Sequence, residues 1–192
     1  AYDPAARLAE VPSHRVSTSL AGRTDTPRLP ASAVRIGGFG GVAGLSAYLR
    51  DTKIDAVIDA THPFAARMGW NAAQACGETA TPLFRLERPA WQPSPRDRWH
   101  QVEDWSQAAQ WVATHGKRVL LAVGRQELDA FAGLDHVWFL IRSVHEPEGF
   151  KDFAQAEILL ARGPFDQDAE RDLLVQHRID TIVCKNSGGV TD

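Results

Sequence analysis

The stretch IDAVIDATHPFAARMGWNAAQACGETATPLFRL, residues 54–86, is the part of the chain on which the fold turns. Ile54-Asp55-Ala56-Val57-Ile58 is short and rich in apolar β-formers, so it reads as a strand. A loop follows, then an alanine-rich helix from about Ala65 to Ala80. Pro82-Leu83-Phe84-Arg85-Leu86 is a second strand. Strand, helix and strand in this order make a βαβ unit, whose two strands run parallel.

The alternation continues in both directions. Upstream, Ala5 to Glu10 reads as part of a helix, Arg15 to Ser19 as a strand, and Val34-Arg35-Ile36 as a strand before a glycine cluster. Val42, Leu45, Tyr48 and Leu49 then fall at helical spacing. Downstream come a helix from about Trp105 to Thr114, a strand from Arg118 to Val123, a helix from Glu127 to Phe131 and a strand from Val137 to Arg142. Gly149 to Phe153 is loop, Glu157 to Ala161 is strand-like, about Asp166 to His177 is helical, and Ile179 to Cys184 is a final strand. The predicted class is α/β, two Rossmann-like domains with mostly parallel sheets. Between them Arg88 to Trp99 carries Pro89, Pro93 and Pro95, which exclude a regular helix. The expected domains are residues 1–95, for dinucleotide binding, and 96–192.

The 192 residues are 44% hydrophobic and 23% charged, with a formal net charge of −3. That balance argues against a nucleic-acid binder, which would carry a basic stripe. Cys76 and Cys184 form no CxxC pair, so neither a disulfide framework nor a zinc site is indicated, and two buried thiols are expected. The scattered histidines suggest no metal cluster. No apolar run approaches the roughly 20 residues of a membrane span, and no signal peptide is visible, which points to the cytoplasm.

In parallel sheets ligands bind beyond the carboxyl ends of strands, so the loops there are where chemistry is sought. The first is Ser19-Leu20-Ala21-Gly22-Arg23-Thr24. Glycine lets the backbone turn closely, and Arg23 offers a fork of donors suited to an adenosine 2′-phosphate, or is simply a solvated arginine on a turn. The second, Gly37-Gly38-Phe39-Gly40-Gly41, lies at a helix start, where amides attract anions, although it is not GxGxxG.

The third loop, Asp59-Ala60-Thr61-His62-Pro63-Phe64-Ala65, presents a histidine at a strand end. Pro63 holds His62 extended and can open the following helix. His62 could meet a nicotinamide or relay a proton, or be a hydrogen-bonded structural group. The fourth, Lys185-Asn186-Ser187-Gly188-Gly189, offers an ammonium, an amide, a hydroxyl and glycine amides to an anionic or ribose-bearing ligand. Gly124-Arg125 and Arg162-Gly163 repeat a strand-then-Gly/Arg arrangement, and Arg85, Arg88, Arg96 and Arg98 cluster near the domain boundary.

The order SLAGRT, GGFGG, DATHPFA, LERPAW, GRQEL with VWFLIRSV, ARGPF and KNSGG resembles the precorrin-6A reductase family, including its cobalt-precorrin-6A members. The likeness runs from about Val16 to Gly189. It implies two α/β domains with NADPH in a cleft between them, and hydride transfer to a double bond of a precorrin macrocycle in cobalamin biosynthesis. The substrate is then a tetrapyrrole bearing many carboxylates, bound by Arg88, Arg125, Arg142 and Lys185. The cofactor would contact Ser19, Gly22, Arg23, Thr24, Gly38, Phe39, Gly40, Thr61, His62, Pro63, Asn186, Ser187, Gly188 and Gly189. His62, Lys185 or an ordered water would supply the proton. No nucleic acid or membrane partner is called for, and a monomer suffices.

The resemblance also implies an opening strand with a glycine-rich turn that meets the dinucleotide phosphates, and a helix and strand after KNSGG; these are not in this sequence, so trimming or disorder is expected. Ile54 to Pro63 also resembles dihydrodipicolinate reductase, leaving another NAD(P)H reductase as an alternative. A non-catalytic protein that binds a nucleotide or tetrapyrrole is a further one.

Overall fold

The structure is a computed structural model in which residues 2–22, 29–30, 32–147 and 152–189 are described. The chain divides into two compact units, Ala1–Pro89 and Ala90–Asp192. Every described strand pair is parallel, so the α/β class expected from the alternation of elements is the class observed.

In the first unit, helix α1 (Tyr2–Ala9) precedes strand β1 (Ser17–Leu20), which pairs with β2 (Ala33–Ile36). Helix α2 (Gly41–Asp51) leads to β3 (Val57–Asp59), and helix α3 (Ala66–Thr79) leads to β4 (Leu83–Arg85), which pairs with β3. Leu45 and Leu49 of α2 are buried with Ala72, Ala75 and Cys76 of α3, and Val57 and Leu83 pack on them. The small side chains of α3 let the two helices approach closely.

The strand expected from Ile54 starts only at Val57, and the end of α2 explains why. Lys53 takes a left-handed φ of 50°, and Ile54 N donates back to Leu49 O at 3.0 Å. This closes the last turn of the helix and commits Ile54 to it. The same closure recurs after α3, where Ala80 has φ 53° and Thr81 N donates to Cys76 O at 3.0 Å.

In the second unit, β5 (Arg118–Ala122), β6 (Trp138–Ser143), β7 (Ala156–Leu160) and β8 (Thr181–Cys184) form one sheet in the order β7-β6-β5-β8. Val119-Leu120-Leu121 and Phe139-Leu140-Ile141 of the inner strands are at most 2% exposed, the continuous apolar pattern of parallel strands covered on both faces. The outer strand β8 alternates instead, so Ile182 and Cys184 face outward. Cys184 is therefore exposed, against the expectation of two buried thiols, while Cys76 is buried.

Asp104 and Asp166 accept backbone N–H groups at the starts of α4 (Trp105–His115) and α5 (Gln167–Gln176). The short helix expected over Glu127 to Phe131 is a 3₁₀ turn, Arg125–Ala130. Leu128 and Phe131 are both buried, and their three-residue spacing matches one turn of a 3₁₀ helix. Among the described residues no helix is long and apolar enough to cross a membrane, and no group of three His, Cys, Asp or Glu could hold a metal ion.

Candidate functional site

Strands β1 and β2 end side by side, with Gly37 N donating to Leu20 O at 2.9 Å. Gly22 turns at φ 73°, and a Cβ there would lie 3.2 Å from Ile36 Cγ2 and 3.5 Å from Gly37 N, so the first two glycine turns touch. Ser19 pairs in register with Arg35 and is exposed. Arg23 and Thr24 lie outside the described residues.

Arg35 bends over the second turn. Its Nη1 donates to Gly37 O at 2.5 Å and its Nη2 to Gly38 O at 2.8 Å, with the guanidinium 4.0 Å from the centre of the Phe39 ring. Gly40 starts α2 at φ 82°, a conformation that favours glycine. Gly38 has no such requirement: its φ is not positive, and an added Cβ would find no atom within 4 Å. Neither packing nor conformation explains a glycine there. The open space beside a helix start suits the close approach of a phosphate.

At the tips of β3 and β4, the Asp59 side chain is 4% exposed. Its Oδ1 accepts from Thr61 N at 3.0 Å and Thr61 Oγ1 at 2.7 Å, and Arg85 Nη1 lies 3.3 Å from Oδ2. Arg85 also meets Glu87 at 3.3 Å. Gly69 leaves room for the pair, since a Cβ there would lie 2.6 Å from Arg85 Nη1.

Thr61, Pro63, Arg85, Leu86, Glu87 and Arg88 line a cavity of about 110 Å³. Two candidate cofactor residues and one candidate substrate residue thus share a wall. Pro63 does not open the helix as expected. It sits with Phe64 in a turn, and α3 begins at Ala66. That turn lets Phe64 N donate to His62 Nδ1 at 3.2 Å. Accepting through Nδ1 leaves the Nε2 position of the neutral ring to carry the proton.

In the second unit Lys185 Nζ donates to Glu127 Oε1 at 2.5 Å and lies 5.3 Å from the centre of the Trp105 ring. Gly124 permits this, because a Cβ there would sit 2.3 Å from Glu127 Oε2. The Asn186 amide is engaged with Trp91, accepting from its N at 2.8 Å and donating to its O at 2.9 Å. Trp91 Nε1 donates to Gly189 O at 2.9 Å. Ser187 Oγ reaches Lys185 O at 3.3 Å, and Gly188 is buried with φ 63°.

Arg125 is exposed at the start of its 3₁₀ turn. Arg142 is only 10% exposed, pairs with Glu170 at 2.8 Å and stacks 4.2 Å from the Phe165 ring centre. Cys184 precedes Lys185; although exposed at the edge of the sheet, its thiol is partly desolvated, which raises it above the ordinary value.

Sequence reasoning assigned no role to Arg35, Asp59, Glu127 or Trp91. Asp59 opens the DATHPFA motif and Arg35 lies two residues before the glycine cluster, so both positions carry a usable signal. Glu127 and Trp91 act across 58 and 95 residues, which spacing does not reveal.

Residues 1–192 match the family described as "Precorrin-6x reductase CbiJ/CobK". The chain is 48% identical over 185 residues to the precorrin-6A reductase of Rhodococcus erythropolis, covering 96% of this chain and 74% of that protein. It is 48% identical over 179 residues to the precorrin-6A reductase of Mycobacterium tuberculosis (strain ATCC 25618 / H37Rv), covering 93% and 72%. A solved structure, "CobK precorrin-6A reductase", superimposes with a TM-score of 0.92 at 40% identity, over 99% of this chain and 75% of the other.

Proposed function

Since the chain belongs to the precorrin-6x reductase family, we propose that it reduces a double bond of the precorrin-6A macrocycle with NADPH, as a cytoplasmic step of cobalamin biosynthesis. NADPH, when bound, supplies a hydride to one carbon of that bond, and a proton completes the neighbouring carbon. The protein's part is to bind, orient and supply the proton.

Gly38 is the observation that carries the cofactor assignment. It is a glycine at a strand tip that neither packing nor backbone conformation requires, facing open space at the start of α2. The backbone of Gly38, Phe39 and Gly40 would meet the phosphates, with Ser19 and Gly22 on the adjoining turn. Arg23 and Thr24 would hold the adenosine 2′-phosphate, where a fork of donors fits an anion bidentately. Thr61, His62 and Pro63 are assigned to the nicotinamide end.

Arg88 and Arg125, which carry no ion pair among the described residues, would pair with substrate carboxylates. Lys185 is assigned the same ligand, with Ser187, Gly188 and Gly189 beside it. The proton would come from His62, Lys185 or an ordered water.

Replacing Arg23 by Ala tests the cofactor assignment. Titration by nucleotide fluorescence should show NADPH affinity falling far more than NADH affinity. Equal losses would remove Arg23 from the 2′-phosphate site.

A further inference from the structure

Arg35 is a strand residue whose guanidinium is turned back onto its own chain. Two of its nitrogens hold two consecutive carbonyls, Gly37 O at 2.5 Å and Gly38 O at 2.8 Å. The Phe39 ring lies 4.0 Å and the Tyr48 ring 5.7 Å from the guanidinium carbon, so the group is fixed from above as well. A planar fork of this kind fixes direction as well as distance.

The consequence lies on the other side of each peptide. In a trans peptide the N–H points away from the C=O. Both peptides are trans, the only cis bond among the described residues being Gly163–Pro164. With the carbonyls of Gly37 and Gly38 held toward Arg35, the amides of Gly38 and Phe39 are turned away from it. Neither amide has a hydrogen-bond partner among the described residues. The loop therefore presents two successive unpaired donors beside the glycine whose missing Cβ leaves space.

We infer that Arg35 is a positioning residue for the cofactor: it presets the Gly37–Phe39 loop so that the Gly38 and Phe39 amides meet the nucleotide phosphate without first reorganising. This rests on the NADPH assignment above. Its role differs from that of Arg23. Arg35 spends its donors on carbonyls, so it acts on the loop and not on the 2′-phosphate, and NADPH and NADH should depend on it equally.

Arg35→Lys keeps the charge and the apolar stem but loses the fork. KM for NADPH and KM for NADH should each rise by about tenfold, the scale on which lost preorganisation weakens binding. kcat at saturating nucleotide and KM for the tetrapyrrole should stay within about twofold, the split expected when only uniform binding is lost. Unchanged KM values would overturn the inference, as would a loss confined to NADPH, which would make Arg35 a 2′-phosphate ligand. Should the variant fold poorly, NMR of the wild-type protein decides: the Gly38 and Phe39 amide resonances should shift on NADPH addition, and unshifted resonances with saturable binding would overturn it. Wild-type protein that binds neither nucleotide would instead reject the cofactor assignment itself.

Discussion

Asn186 grips the backbone of Trp91 from both sides, accepting from its N–H at 2.8 Å and donating to its carbonyl at 2.9 Å. One side-chain amide thus does the work of a short strand pairing, and the indole of Trp91 adds a bond to Gly189 O at 2.9 Å. The loop after β8 is held by the segment that follows Pro89. Asn186→Ala removes the donor and the acceptor together and leaves two partly buried backbone groups without partners. Denaturant unfolding should show a loss of about 1–2 kcal/mol. Trp91→Phe, which gives up the indole bond and part of the ring but keeps the amide pairing, should lose less, and an Asn186→Ala variant as stable as the wild type would show that the amide grip contributes nothing.

The Lys185–Glu127 pair is mostly shielded, with side-chain exposures of 23% and 18%. Glu127→Gln removes the carboxylate that Lys185 Nζ meets, at an expected cost of about 1–2 kcal/mol after allowance for residual solvent. Adding Lys185→Met should recover more than half of that, because the charge that Glu127 balanced is gone as well. A double variant as unstable as the sum of the single ones would mean the two side chains are not coupled.

Gly44 lies inside α2, where exchanging glycine for alanine ordinarily stabilises by up to about 1 kcal/mol. Here an added Cβ would lie 1.7 Å from Phe39 O, which is backbone and cannot swing aside. The sign should reverse. Gly44→Ala should destabilise the protein by about 1–3 kcal/mol and weaken nucleotide binding through the same loop. A rise in Tm would contradict the placement of Phe39 over the helix.

Ala80 closes α3 in a left-handed conformation, φ 53°, which costs an L-residue roughly 1–2 kcal/mol. Ala80→Gly removes that cost but adds unfolded-state entropy, for a net gain of about 0.5–1 kcal/mol. Thermal unfolding should register a higher Tm, and a lower one would show that Ala80 is not held at positive φ.

What the sequence made legible was local. Val119-Leu120-Leu121 and Phe139-Leu140-Ile141 announce buried parallel strands, and the motif loops were found at strand tips because apolar runs end where glycines begin. The 3₁₀ turn at Arg125–Ala130 looks like a helix in sequence, since both hold apolar residues three apart. Ile54 reads as strand because the closure of α2 by Lys53 lacks the glycine that marks such ends. The partners that organise the candidate site were not readable. Asn186 looks like a ligand-binding amide until Trp91, 95 residues earlier, is seen to occupy it. Arg35 looks like a strand residue until its guanidinium is seen to turn back onto the glycine carbonyls.

The central claim is reduction of a tetrapyrrole at the expense of NADPH. Incubating the protein with both and following the pigment's absorption and mass together tests it most directly. The account predicts NADPH oxidation only when precorrin-6A is present, a changed pigment spectrum, and a product heavier by two hydrogen atoms. Saturable binding of both molecules with spectrum and mass unaltered would contradict it and leave a carrier in place of an enzyme.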